Sequence, residues 1–281
     1  MAAVYDEIAY DEIFAAGQRL ECQWLGPAPA DDADDTDEPN GPPTLVFLHE
    51  GLGCVALWRD FPSQLVAATG LGGFVYSRQG YGGSEPCQLP RPITYMHHEG
   101  LTVLPALLEA AGIKRAILVG HSDGASISLI YAGGTPAPGL MGLILEAPHV
   151  FMEDLNADAI RTMRDTYETT DLRQRMMKYH GDNVDCAFRG WSEPWLGDGF
   201  TTWNLEDYLL RICADKPVPT LVIQGADDAY GTIAQCQAIE RGIGTQAATL
   251  FLDGCGHAPH QEQQARTLAA MTAHVQRILG D

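Results

Sequence analysis

Positive charge is scarce in this sequence of 281 residues. Only 17 Lys and Arg side chains stand against 37 Asp and Glu side chains, and the formal net charge at pH 7 is −20. Nucleic acids and anionic membranes are densely negative, so the averaged field of such a chain repels both. We therefore expect a small molecule as the partner, although an acidic surface also aids solubility and names no substrate by itself.

Long apolar runs and organised cysteines are lacking as well. No uninterrupted apolar stretch reaches membrane-spanning length, and Asp6 and Glu7 stand where a secretory signal would be positive. The seven cysteines are scattered without a C-x-x-C pair, which favours reduced thiols. The adjacent His97 and His98 are not spaced for zinc on one helix face. These features predict a cytoplasmic protein that uses no metal or cofactor.

The chain begins with two segments that differ in composition. Residues 9–24 predict an edge β-hairpin around Ala16-Gly17. Residues 27–43 combine Pro, Gly and six acidic side chains with no large apolar residue. Such a segment buries too little surface to order itself, so it predicts a mobile loop.

Short apolar runs then alternate with longer amphipathic segments. The alternation predicts buried strands joined by crossover helices, that is, an α/β fold with a doubly wound, mostly parallel sheet. The segments Leu57–Thr69, Tyr95–Ala111 and Ala125–Ala132 are long enough to be the helices. The expected strands are Leu45–His49, Gly73–Tyr76, Ala116–Val119, Leu143–Leu145, Leu221–Ile223 and Thr249–Leu252.

One interval in this alternation is much longer than the others. Roughly seventy residues separate the strand that ends near Glu146 from the strand at Leu221, too many for a structureless loop in a compact domain. Residues 150–212 are rich in Arg, Met, Trp and Tyr and read as helices. We predict a helical cap at 150–212, inserted into one core domain formed by residues 1–149 and 213–281, over the sheet edge where ligands bind.

The strongest local signal for chemistry is Gly120-His121-Ser122-Asp123-Gly124. It fits G-x-S-x-G, follows the apolar run AILV and precedes a helix-compatible stretch. Small neighbours are needed because the serine of this motif sits on a sharp, strained strand-to-helix turn. The context predicts Ser122 as a nucleophile.

A serine nucleophile needs a base and a carboxylate to orient that base. Gly254-Cys255-Gly256-His257 follows the last apolar run and supplies His257 as the base, with His260, His97 and His98 as weaker rivals. Asp228 ends an earlier run and is favoured as the acid over Asp227, with Glu146 third.

Two backbone N–H groups must also face the oxyanion that forms during acyl transfer. One belongs to the residue after the nucleophile, Asp123, and the other to the loop after an early strand. In His49-Glu50-Gly51-Leu52-Gly53, the expected donor is Gly51.

These motifs resemble those of the α/β-hydrolase superfamily. HEGLG, SRQGYGGSEP, GHSDG, GADD and GCGH occur in its order and rough spacing and cover nearly the whole chain. HEGLG also resembles the HGGPG loop of proline iminopeptidases, with Glu50 where a glycine is usual. Ser77-Arg78 replaces the more common Asp-Arg. The resemblance implies an acyl enzyme, and Ser122 argues against dehalogenases and epoxide hydrolases, which carry Asp at that position.

These residues do not determine which acyl group the substrate carries. A carboxylic ester or lactone requires nothing beyond the triad and the oxyanion donors, while thioesterase, carbon–carbon bond hydrolase and proline-iminopeptidase-like aminopeptidase remain alternatives. Glu50 and Glu193 are the carboxylates that could hold a substrate amine. An aromatic pocket is expected from Trp58, Trp191, Trp195, Trp203 and Tyr230, with Glu50 also at the substrate.

Two readings from other functional classes compete with a hydrolase. Gly51-Leu-Gly53-Cys-Val-Ala56 fits the dinucleotide-binding pattern G-x-G-x-x-A, but the next strand ends in Ser77-Arg78 and lacks the acidic residue expected about twenty positions on. The second competing interpretation is a ligand receptor that keeps the fold and the triad but has no turnover. The oligomeric state is not encoded in any of these motifs.

Overall fold

The computed structural model describes residues 10–27, 41–214 and 216–280. Most of the acidic segment at 27–43 therefore lies outside the described residues. Within them, eight strands form one sheet in the order β1-β2-β4-β3-β5-β6-β7-β8. The strands are β1 Asp11–Ala15, β2 Gln18–Leu25, β3 Thr44–Leu48, β4 Gly72–Tyr76, β5 Ala116–His121, β6 Leu140–Glu146, β7 Thr220–Gly225 and β8 Ala247–Leu252.

Helices connect the strands and cover both faces of the sheet. The α-helices are α1 Phe61–Thr69, α2 Tyr95–His98, α3 Leu104–Ala110, α4 Asp123–Gly134, α5 Asp154–Thr169, α6 Leu172–His180, α7 Val184–Trp195, α8 Glu206–Ile212, α9 Ile233–Ile243, α10 Pro259–Glu262 and α11 Gln264–Leu279. A π-helical turn, Glu99–Val103, joins α2 to α3. Short 3-10 turns lie at Val55–Trp58, Gly181–Asn183, Asp198–Thr202 and Gly244–Gln246.

Strand pairing confirms the predicted doubly wound fold. β1 and β2 form an antiparallel hairpin at the edge, β2 joins β4 antiparallel, and the remaining pairs are parallel. Every residue of β3, β4 and β5 is buried. Neighbouring residues of one strand enter cores on opposite faces, as Val46 and Phe47 do in β3. Central strands buried on both faces are therefore continuously apolar, which is why these strands could be recognised as apolar runs in the sequence.

The first crossover helix begins later than its sequence pattern predicts. α1 starts at Phe61 instead of Leu57, and a 3-10 turn over Val55–Trp58 precedes it. Arg59 between them has a positive φ of 55°, a conformation that cannot continue a helix. Pro62 then occupies the first turn of α1, where its missing N–H removes no helix bond.

Residues 150–212 contain α5 to α8. Leu205 N–H donates to Val150 C=O at 2.7 Å, and Phe151 forms an isolated antiparallel bridge with Asn204, so the two ends of this segment meet. α8 packs against α4 and α9 on the face of the sheet. None of the helices within the described ranges is both long and apolar enough to cross a membrane.

Candidate active site

Ser122 occupies the sharp turn between β5 and α4. Its backbone has φ 53° and ψ −115°, a conformation that favours glycine. The adjacent glycines allow close packing, since a Cβ at Gly124 would lie 2.0 Å from Leu48 C=O and one at Gly120 would lie 2.5 Å from the carbonyl of Gly124. Ser122 N–H donates to Glu146 C=O at 2.8 Å, which ties the turn to the end of β6.

The loops after β7 and β8 bring a carboxylate and an imidazole to this serine. His257 Nε2 lies 2.9 Å from Ser122 Oγ, and its Nδ1 lies 2.9 Å from both oxygens of Asp228. Asp228 also accepts from Tyr230 N–H and from the Gln224 amide, each at 2.8 Å. Burial alone would raise the pKa of Asp228, but the hydrogen bond and charge of His257 lower it to about 2. Asp228 is therefore an acceptor anion at neutral pH.

The other acidic and histidine candidates are occupied elsewhere. Asp227 is exposed to solvent. Glu146 is fully buried and accepts from His260 Nδ1 at 3.0 Å and from its N–H at 2.9 Å, which removes both residues from the Ser122 group. Burial raises the pKa of Glu146, but the charge of His260 makes the net shift downward. His97, on α2, packs against the ring of Tyr208 on α8.

The loop at residues 49–53, here called the donor loop, is held against the start of α4 by Arg78. The fully buried guanidinium donates to His49 C=O and, at 3.0 Å, to Glu50 C=O, and lies 3.8 Å from the Asp123 carboxylate. Tyr95 O–H donates to the same carboxylate at 2.5 Å. Asp123 is the first residue of α4, so its N–H has no intrahelical partner. Arg78 thus fixes both expected N–H donors relative to each other.

Glu50 and His121 form a second acid–imidazole contact beside Ser122. Glu50 Oε2 lies 3.5 Å from His121 Nδ1, and His121 Nε2 lies 2.7 Å from His257 C=O. Burial would lower the pKa of His121, but Glu50 raises it to about 9. In the same way, burial would raise the pKa of Glu50, while His121 holds it far below its usual range. The pair is charged at neutral pH.

A cavity of about 190 Å³ opens above Ser122. Three of its aromatic walls and one acid were expected from the sequence, namely Trp191, Trp195, Tyr230 and Glu50. The other lining residues are Gly51, Leu52, His121, Asp123, His149, Asn156, Ile160, His257, Ala258 and Gln261. Asn156 and Ile160 come from α5, while Trp191 and Trp195 come from α7.

Two tryptophans expected at the pocket lie elsewhere. Trp58 is buried in the opposite core layer against Phe47 and His260, with ring centroids 5.5 and 4.8 Å apart. Trp203 packs behind Trp195 and against Phe200. Both rings pack in the protein interior. A sequence alone does not distinguish a tryptophan that packs in the core from one that lines a ligand pocket. Within the described ranges, no group of three His, Cys, Asp or Glu side chains is placed to hold a metal ion.

Comparison with known proteins agrees with the fold described above. The model of the alpha/beta hydrolase family matches residues 45–270, which is most of the chain. The chain belongs to the alpha/beta hydrolase family. No curated protein sequence matches it.

Solved structures share the fold of this alpha/beta hydrolase at low sequence identity. A meta-cleavage product hydrolase from Pseudomonas fluorescens superposes with a TM-score of 0.70 at 16% identity, over 95% of this chain and 97% of that one. An esterase from a Rhodococcus species gives 0.66 at 17%, over 96% and 100%. The proline iminopeptidase of Mycobacterium smegmatis gives 0.64 at 17%, over 96% and 98%. These likenesses establish the fold alone.

Two histidines of the alpha/beta hydrolase cavity were missed by sequence reasoning. His121 is the variable residue of G-x-S-x-G, and His149 follows β6 in Ala147-Pro148-His149. The structure brings both rings beside His257, with centroids 5.2 and 5.7 Å away. The only signal available was position, since each follows a buried strand at the edge where ligands bind.

Proposed function

We propose that this chain is a serine hydrolase that cleaves a carboxylic ester or a lactone of a small molecule through an acyl-enzyme intermediate. The observation that carries the proposal is the continuous contact from Asp228 through His257 to Ser122 Oγ, with both links at 2.9 Å. The hydroxyl faces a cavity walled by α5 and α7. Serine needs such a base because its hydroxyl is a weak nucleophile.

The chemistry follows from the proton positions. Asp228 holds a proton on His257 Nδ1, so Nε2 is the acceptor for the proton of Ser122 O–H. Ser122 Oγ attacks the ester carbonyl, and the oxygen that becomes negative accepts from the N–H groups of Gly51 and Asp123. The imidazolium returns its proton to the leaving alkoxide, which departs as the alcohol. Water then gives a proton to His257 Nε2 while its oxygen bonds to the acyl carbon. His257 returns that proton to Ser122 Oγ as the bond between Oγ and the acyl carbon breaks, which releases the acid and restores the serine.

Cavity size and charge favour a small, uncharged ester. A volume of about 190 Å³ lies below the roughly 300–1,000 Å³ of common small-molecule pockets. An aminopeptidase would need an unpaired carboxylate for the substrate amine. Glu50 pairs with His121 instead, and Glu193 pairs with Arg189 at 2.6 Å outside the cavity lining.

We further propose that residues 150–212 act as a cap and choose the substrate. Residues at the two ends of this segment contact each other, and helices α5 and α7 within it contribute walls of the cavity. α8 packs on the core helices α4 and α9, so we expect the part of residues 150–212 that covers the cavity to end before α8.

The other functional classes are less well supported. A dinucleotide turn would open directly into a helix whose N-terminus holds the pyrophosphate, whereas α1 begins only at Phe61, after a 3-10 turn. A receptor without turnover differs from an enzyme in one measurable respect, which is the release of product.

Turnover and labelling test the proposal together. Purified protein is assayed on p-nitrophenyl acetate and on a small lactone, with a thioester for comparison, and is labelled with a fluorophosphonate. We expect ester turnover and a label on Ser122. Labelling without turnover of any of these would favour the receptor, and NADP binding by fluorescence titration would favour the oxidoreductase.

A further inference from the structure

His149 is a second histidine in the cavity wall, outside the Ser122, His257 and Asp228 group. Its residue surface is only 3% exposed. The ring stacks on His257 with centroids 5.7 Å apart and planes 28° apart, and it meets the Trp195 ring edge to face with centroids 5.4 Å apart. A polar ring in this position acts either on the substrate or on its neighbours.

Contacts of Asn156 determine which ring nitrogen carries the proton. Asn156 Oδ1 accepts from Glu153 N–H at 2.7 Å, and its Nδ2 donates to Tyr230 C=O, so the orientation of the amide is fixed. The same Nδ2 faces His149 Nδ1 at 3.4 Å. An amide NH₂ can only donate, so Nδ1 presents its lone pair and the neutral ring carries its proton on Nε2.

The surroundings keep this imidazole neutral. Burial and, next, the positive charge of His257 lower the pKa of His149 to about 3, although Asp228 acts in the opposite direction. His121 adds a further lowering contribution. At neutral pH, His149 therefore remains an N–H donor without charge.

The packing of the ring leaves Nε2 on the edge that faces away from the loop after β7. A side chain at Gly231 would lie 3.1 Å from His149 Cε1 and 3.3 Å from Nδ1, so the glycine allows this edge to pack against the loop after β7. Nε2 and Cδ2 form the opposite edge, and His149 lines the cavity. A ligand that covers this donor without offering it an acceptor binds less well, because the N–H is left unpaired.

We propose that His149 is a specificity-determining residue whose Nε2–H binds an oxygen of the substrate, and that the substrate is a small ester or lactone with a second oxygen acceptor near its scissile carbonyl. An ether, hydroxyl or keto oxygen would serve. The inference rests on the proposed function. Sites built to pair a polar group reject analogues that leave it unpaired.

Isosteric ester pairs test this inference. Methyl methoxyacetate is compared with methyl butyrate for the acyl side, and methoxyethyl acetate with butyl acetate for the alcohol side, because each pair exchanges one ether oxygen for CH₂. The kcat/KM of the ether member is divided by that of its CH₂ partner. This ratio is then divided by the same ratio of rate constants for hydrolysis by hydroxide. We expect the wild type to favour the ether member of one pair by at least about tenfold.

Substitutions at His149 identify the donor. His149→Phe keeps a planar ring without N–H and should bring the ratio to within about twofold of unity, while His149→Gln, which retains a donor, should keep part of the preference. Fluorophosphonate labelling of Ser122 and circular dichroism establish that each variant is folded. A wild-type ratio that survives in His149→Phe overturns the inference, as does a wild type with no preference in either pair. If the wild type neither hydrolyses any of the four esters nor is labelled, the proposed function itself fails.

Discussion

The Glu50 carboxylate lies 3.5 Å from one nitrogen of His121, and the other nitrogen lies 2.7 Å from the carbonyl oxygen of His257. A carbonyl can only accept, so His121 Nε2 carries a proton, and the nearby carboxylate favours a second proton on Nδ1. The side chain of His121 is 3% exposed. This contact connects the donor loop to the loop that carries the base.

Protein stability should fall in mildly alkaline solution because of this pair. Glu50 raises the pKa of His121 from 6.5 to about 9 against the effect of burial. The folded protein then holds a proton that the unfolded chain releases, so the contribution is present below pH 6.5 and lost as the pH rises to about 9. Each pKa unit corresponds to about 1.4 kcal/mol. Urea unfolding at pH 6.5 and pH 9 measures the loss.

Glu50→Gln is the matched control for that measurement. Without the carboxylate, the pKa of His121 should fall, and the difference in unfolding free energy between the two pH values should shrink by at least about 1.4 kcal/mol. An equal loss in the wild type and in Glu50→Gln would mean that other groups cause the alkaline effect.

Two adjacent aspartates provide a matched test of the acid. Asp228→Asn should lower kcat by about 10⁴-fold, because an amide favours the wrong tautomer of His257. Asp227→Asn should change kcat less than about threefold, since its side chain is exposed and outside the contact chain. Steady-state kinetics on p-nitrophenyl acetate compares them, and the reverse ranking would refute the assignment of Asp228.

Ser122→Ala should abolish both turnover and fluorophosphonate labelling. The nearby thiols are poor substitutes, because burial raises the pKa of Cys54 to about 12 and that of Cys255 to about 11. Mass spectrometry of the labelled peptide is the measurement. A label that persists on either cysteine in Ser122→Ala would show that acylation does not depend on the serine.

Helices α5 and α7 of the proposed cap should affect catalysis differently. Trp191 of α7 lies directly on the donor loop, since a Cβ at Gly51 would be 2.3 Å from its ring. Trp191→Ala should therefore lower kcat about tenfold on all esters, by loosening an expected oxyanion donor. Ile160 of α5 lines the cavity without that contact, so Ile160→Ala should mainly lower KM for bulkier acyl groups.

Kinetics on p-nitrophenyl acetate, butyrate and benzoate distinguishes these effects. Trp203→Ala is a useful third variant, because its ring packs behind Trp195 and outside the cavity lining. If Ile160→Ala and Trp191→Ala both change only KM, the contact between α7 and the donor loop has no catalytic consequence.

The core of the fold was predictable because its strands are buried on both faces. Residues such as Val46 and Phe47 supply opposite core layers from one strand, so the apolar run is unbroken. The start of α1 was not predictable, since a single positive φ at Arg59 displaces it to Phe61. Local backbone conformations of this kind depend on tertiary contacts that no residue pattern carries.

The candidate site was predictable where a motif encodes a turn. Ser122 and His257 follow glycine-flanked turns at strand ends, and the sequence alone favoured Asp228 over its neighbour. His149 lies in no recognisable motif, and its relation to Asn156 exists only because α5 folds back over the loop after β6. Trp58 and Trp191 are the same residue type, yet Trp58 packs in the core and Trp191 lines the cavity.

The backbone of Ser122 also affects the folding equilibrium. Its φ of 53° is a conformation that costs a residue with a Cβ about 1–3 kcal/mol, while glycine adopts it freely. Ser122→Gly and Ser122→Ala should be equally inactive, yet the glycine variant should unfold at higher urea, because relief of strain exceeds its additional chain entropy of about 0.5–1 kcal/mol. The sequence that folds most stably at this turn is therefore one that lacks the proposed nucleophile.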